Sequence, residues 1–159
     1  MSASIREIAR QAGVGLATIY RQFPTKEALF EAVVKQRVAD LRERAERLAE
    51  ADDPRAALFD FFSQAVAYST GERALVDYLA TAGVDIKTET APLYRELEDA
   101  TEVLLGRAQA AGAIRQDIGL DELVSLIVAA SLAAERQQWD EDLRSRVLTV
   151  MFDGLASRP

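Results

Sequence analysis

Arg6, Arg10, Arg21 and Lys26 fall within the first 26 residues against a single acid, Glu7. The chemistry such a cluster offers is attraction for phosphate. Four cations against one acid give that segment a net +3, and the rest of the chain then carries −10 of the overall −7. A basic head on an acidic body lets a polyanion attract one end and repel the other. On charge alone, a solvated surface helix of chance composition fits equally well. Other chemistry is scarce. The chain has no His and no Cys, which removes the commonest general bases and nucleophiles, the usual zinc ligands and any disulfide. There is no Gly-rich phosphate loop and no paired-carboxylate motif. We expect no enzyme, no metal and no cofactor.

The elements that must position this cluster can be read from Ser4 to Phe30, SIREIARQAGVGLATIYRQFPTKEALF. Ser4 and Glu7 have the spacing of a capping box, so a helix should start at Ile5. Ile5, Ile8, Ala9 and Ala12 share one helical face. Gly13 supplies the positive φ that ends it, and Val14 plugs the corner. Gly15 is a weak cap for a second helix, whose inner face is Ile19 and Phe23. Thr18, Tyr20, Arg21 and Gln22 point elsewhere. Pro24 stops that helix, and Thr25 can cap the next. Two short helices joined by a tight turn are how a small protein lays one helix in the major groove of DNA.

The segment resembles the end of the DNA-binding domain of the TetR/AcrR family of transcriptional repressors. IREIA and AGVGLATIYRQFPTKEALF follow that family's pattern in order and without gaps. The resemblance implies that the second helix reads DNA. Leu16, Ala17 and Arg21 then lie where family members approach base edges. Arg can grip guanine O6 and N7, while Ala or Leu can pack on a thymine methyl. Thr18, Tyr20, Gln22 and Lys26 lie at phosphate-contact positions, and Lys26 also sits at a helix N-terminus that favours an anion. Arg6 fits either role. Family members often carry His where this chain has Gln22. They also carry a further helix before this point, and here Met1 stands three residues before Ser4. Either the true start lies upstream or the product is truncated. Without that helix, Ile5, Ile8, Val14, Ile19 and Phe23 lose part of their cover, at ~1.5–3 kcal/mol for each fully buried side chain. The short helices left cannot stand alone, so fraying is expected over residues 5–23. A dimeric small-molecule-binding module without DNA binding is therefore the alternative function.

Length and composition fit an all-α protein of 159 residues, 49% hydrophobic and 28% charged. Alternating β-branched runs are missing, and the 8 Gly and 4 Pro fall between helical segments. No signal peptide is visible, and the longest uncharged apolar stretch, residues 123–134, is too short to span a bilayer. A cytoplasmic location with no membrane partner is expected. A long helix over 26–50 connects head and body, with Val34, Val38, Leu41, Ala45 and Leu48 at alternating spacings of four and three. Asp53 followed by Pro54 starts the next helix. Further helices are expected over 72–82, 90–112, 120–136 and 141–156, with a loop at 83–89. We divide the chain into a helix-turn-helix DNA-binding domain, 1–35, and a C-terminal helical ligand-binding and dimerisation domain, 36–159.

The helix over 120–136 is apolar nearly all round, which requires burial on more than one side. The last helix carries a broad apolar stripe. These helices could complete the subunit's own core or pair with a second copy as a four-helix interface. The family resemblance favours a homodimer, with Leu123, Ile127, Val128, Leu143, Val147, Met151 and Leu155 as contacts. Such a dimer would present two heads ~34 Å apart to a near-palindromic operator. The resemblance also implies a small-molecule effector in the body, held by Phe59, Phe62, Val66, Tyr68, Tyr78, Tyr94, Leu97 and Trp139, with Leu79 and Leu104 nearby. Aromatics at helical spacing serve equally well as plain core. Asp60, Asp77, Asp85 and Glu98 are candidate partners for a cationic ligand.

Overall fold

A computed structural model describes residues 15–69 and 72–157, all in helices and short connections. The elements are α1 (Leu16–Gln22), α2 (Lys26–Leu48), α3 (Pro54–Ser69), α4 (Glu72–Thr81), α5 (Ile86–Ala110), α6 (Leu120–Gln137) and α7 (Glu141–Leu155). The expectations for Ser4, Arg6, Gly13 and Val14 fall outside the described residues, as does most of the segment expected to fray. Among the described residues, no helix is long and apolar enough to cross a membrane.

Local chemistry explains most helix ends. The Thr25 hydroxyl accepts from the Ala28 N–H at 3.1 Å and opens α2. Asp53 accepts from Ala56 N–H at 3.0 Å ahead of Pro54, and Asp140 accepts from Leu143 N–H at 2.7 Å to open α7. Each cap satisfies one of the donors that a helix N-terminus leaves unpaired. Gly112, at φ 69°, turns the chain out of α5 in the left-handed region that glycine adopts without a Cβ penalty.

One helix start differs from the expectation. Residues 83–89 were expected to form a loop, with a helix opening at 90–92; instead α5 begins at Ile86 and Pro92 lies inside it. Asp85 caps this earlier start, accepting from Thr88 N–H at 3.2 Å and from its hydroxyl at 2.7 Å. Ile86, 3% exposed, is drawn into the core. Burial of that side chain and a good cap outweigh the hydrogen bond that Pro92 cannot donate.

The helices enclose two cores. The larger one, in the body, joins Leu58, Phe61, Phe62 and Val66 of α3 to Leu104 and Ala108 of α5, Leu123 of α6, and Leu148, Phe152 and Leu155 of α7. The smaller one joins Ile19 of α1 and Leu29, Phe30 and Val34 of α2 to Leu79 of α4 and Ile86 of α5. This second core draws on both sides of residue 35, and α2 runs through that position without a break. Lys35 on α2 pairs with Glu89 on α5 at 2.9 Å and with Glu31 one turn away. Both carboxylates hold the Lys35 ammonium above its ordinary pKa.

Candidate nucleic-acid interface and body cavity

The sequence of α1 divides its two faces. Ile19 is 8% exposed and Phe23 is half-buried against the second core. Ala17, Thr18, Tyr20, Arg21 and Gln22 are all exposed. Tyr20 stands out, with 47% of its surface in solvent, because an aromatic ring left uncovered on a short helix loses the burial that rings usually gain. Leu16 belongs to α1 by its backbone, but its side chain lies outside the described set. Gly15 offers α1 no side-chain cap.

Lys26 is held differently from its neighbours. Its Nζ lies 4.4 Å from the centre of the Tyr78 ring and 5.1 Å from that of Phe30. A cation in the first turn of a helix opposes the helix dipole, and the two ring faces offset that cost. The Tyr78 hydroxyl donates to Glu27 Oε1 at 2.6 Å. This bond holds the Glu27 carboxyl below its ordinary pKa and pushes the Tyr78 phenol above its own. Tyr78 also meets Phe30 edge-on at 5.2 Å. Expected to line an effector pocket, Tyr78 instead ties α4 to the first turn of α2, because the rotation of α4 sends its aromatic face toward the head.

The body holds a cavity of about 210 Å³ between α2, α3, α5 and α6. Tyr68, Tyr94 and Leu97 line it as expected residues, and Glu98 lies in its wall. Sequence reasoning did not assign Arg37, Leu41, Phe61, Thr101 and Val124 to a pocket, yet they line it too. A second cavity of about 220 Å³ adjoins it, lined by Val76, Ser131, Leu132 and Glu135 and sharing Ser69, Tyr94 and Val128 with the first.

The remaining expected pocket residues are used elsewhere. Phe62 and Val66 are fully buried in the body core, with Leu104. Leu79 lies in the second core. Phe59 packs against Phe152 with tilted rings 4.9 Å apart and borders an outer groove with Arg55 and Asp153. Trp139 sits in the turn after α6, its Nε1 donating to Gln137 Oε1 at 3.0 Å. Asp60 pairs with Arg44 across α2 and α3, and Asp85 is a helix cap. For Phe59, Phe62, Val66, Leu79 and Leu104, which all lie on helices, the sequence did not show which neighbour each side chain would face.

The residues expected at a dimer interface also divide. Leu123 and Leu155 are buried in the subunit's own core, and Ile127 is 8% exposed at the cavity wall. Core burial leaves these three without surface for a partner. Leu143, Val147 and Met151 are half-buried, and Val128 is 58% exposed. Val150, which the apolar stripe did not single out, is 72% exposed on α7.

Residues 1–33 match the pattern of bacterial regulatory proteins of the tetR family. Residues 53–157 match the C-terminal domain described as transcriptional regulator SbtR-like. Among solved structures, a TetR transcription regulatory protein from Mycobacterium vanbaalenii is 33% identical, with 98% of this chain aligned to 84% of that one at a TM-score of 0.75. The TetR transcriptional regulator SCO0520 from Streptomyces coelicolor is 30% identical, over 99% and 89% of the two chains, with a TM-score of 0.83. A ketosteroid regulator, KstR2 of Mycobacterium tuberculosis, shares the fold at 16% identity and a TM-score of 0.65, over 98% and 86% of the chains. A search of the curated proteins found no match.

Proposed function

Because the chain belongs to the TetR family of bacterial transcriptional regulators, which bind DNA and are not enzymes, we propose that it is a ligand-responsive repressor that holds a near-palindromic operator as a homodimer. The observation that carries this reading is the division of α1, with Ile19 buried beneath an outward row of Thr18, Tyr20, Arg21 and Gln22. In it, residues 1–35 serve as the DNA-binding head and residues 36–159 as the ligand-binding and dimerisation body. Leu16, Ala17 and Arg21 address base edges, Thr18, Tyr20, Gln22 and Lys26 address phosphates, and Arg6 serves either role. Repression needs only that the dimer occupy the operator, whereas activation would need a further contact from the body.

Dimerisation runs through the outward faces of α6 and α7, where Ser125, Ala129 and Val150 are exposed and Val147 is half-buried. The effector occupies the cavity bounded by Tyr68, Tyr94 and Leu97. Its binding favours a body shape in which α2 moves the heads out of register with successive grooves.

Fluorescence anisotropy on DNA from upstream of the gene, at two salt concentrations, tests the reading. A steep fall in affinity with salt on one DNA, and weaker binding to unrelated DNA, is the expected result. A dimer that binds no DNA would leave the small-molecule module in its place.

A further inference from the structure

Along α6, Val124, Ile127, Val128, Ser131, Leu132 and Glu135 recur at spacings of three and four, and together they line both body cavities. The two cavities are therefore successive parts of one groove on a single helical face. Val124 and Glu135 lie eleven positions apart, so the groove runs for roughly 16 Å. Each cavity alone falls below the roughly 300–1,000 Å³ of ordinary ligand sites, and the pair together reaches that range.

The polar groups in the groove are unevenly committed. The Thr101 hydroxyl donates to Leu97 O at 2.7 Å, the Ser131 hydroxyl to Ile127 O at 2.7 Å, and the Ser69 hydroxyl to Ala65 O at 2.9 Å. Arg37, the only Lys or Arg among the described residues of either lining, points Nη1 at the Tyr68 carbonyl at 3.5 Å. Glu98 lines the first cavity, with Thr101 and Val124, and Glu135 lines the second. Among the described residues, neither carboxylate side chain has a hydrogen-bond or ion-pair partner. Between the two acids lies a waist of Tyr94 and Val128, shared by both cavities.

An acid, an apolar aromatic stretch shared by both cavities and a second acid form a complementary pattern. Resting on the reading of this cavity as the effector site, we propose that the effector is an elongated apolar molecule with a cationic group at each end. Its chain passes Tyr94 and Val128, and its cations lie near Glu98 and Glu135, where the Tyr rings add their negative faces.

Calorimetric titration of the full chain with decamethonium tests this, beside decyltrimethylammonium, with one cation, and decanedioate, of similar length and opposite charge. Decamethonium should bind more tightly than decyltrimethylammonium, and decanedioate should not bind. Glu98→Gln and Glu135→Gln should each weaken decamethonium about fivefold. Glu98 is exposed and Glu135 half-buried, and thermal melts check that the variants fold. Tyr94→Trp, which narrows the waist, should block decamethonium independently of either acid. Equal binding of decanedioate, unchanged affinity in all three variants, or no binding of any probe would overturn the proposal. If decamethonium binds without altering DNA affinity, the ligand class stands and the regulatory reading fails. If DNA binds specifically and no probe does, the reverse holds.

Discussion

The Tyr78 hydroxyl and the Glu27 carboxylate, 51 positions apart, meet at 2.6 Å and fasten the body helix α4 to the first turn of α2. The same Tyr78 ring lies under the Lys26 ammonium. One residue of α4 therefore grips two consecutive residues in the first turn of α2, right after α1.

That contact gives stability a pH signature. Glu27 is held below its ordinary pKa by the Tyr78 hydroxyl, so its contribution is present above the unfolded carboxyl pKa. It is lost as pH falls through the lower folded value. Tyr78 is raised by Glu27, so its contribution is present below the unfolded phenol pKa and lost as pH climbs through the folded one. The contact stabilises across neutral pH. Tyr78→Phe should lower the melting temperature at neutral pH, and the gap to the parent protein should close in acid.

Lys26 and Arg21 should fail in different ways on DNA. Lys26→Gln should weaken binding to every sequence alike and lower the salt slope by about one. Arg21→Ala should cost about 1–3 kcal/mol and relax preference at one base position. Anisotropy against a set of single-base operator variants at several salt concentrations separates the two outcomes.

The proposed dimer face can be probed without touching the core. Val150→Asp places a charge on an exposed residue of α7, and should yield a folded monomer by sedimentation velocity. Leu123→Ala should instead cost about 2–5 kcal/mol of folding stability, since that side chain is fully buried in the subunit itself. A monomer that melts like the parent subunit would be the result for the first variant only.

Two phenylalanines three positions apart should differ sharply. Phe62 has no exposed surface, and Phe62→Ala should cost about 3–5 kcal/mol in denaturant melts. Phe59 lies half-buried at the rim of an outer groove, so Phe59→Ala should cost clearly less. Neither change should alter binding in the body cavity, which neither ring lines.

Much of this architecture could be read from sequence because its signals are local. Asp53 before Pro54, Thr25 before Lys26 and Asp140 before Glu141 each mark a helix start within four residues, and all three caps form. Pro92 misled for the same reason. Proline so often opens a helix that the cap at Asp85 and the buried Ile86, seven and six residues earlier, were read as loop. The candidate sites were harder. Tyr68 and Tyr78 carry the same side chain on apolar helical faces, yet one lines the cavity and the other holds the head. What separates them is the rotation of α3 and α4 against α2, which non-local packing sets. The groove along α6 was hidden likewise, since its Val and Leu residues look the same whether a core, a partner or a ligand covers them.

The second core, to which α1, α2, α4 and α5 all contribute, bears on how such a protein can be recombined. A head cut after α2 would leave Leu29, Phe30 and Val34 without Leu79 and Ile86. Grafting the reading helix of one relative onto the body of another would therefore succeed only if the inner surface of α4 travelled with it. In the proposed reading, a new pairing of reader and sensor would then need matching substitutions on both sides of that seam.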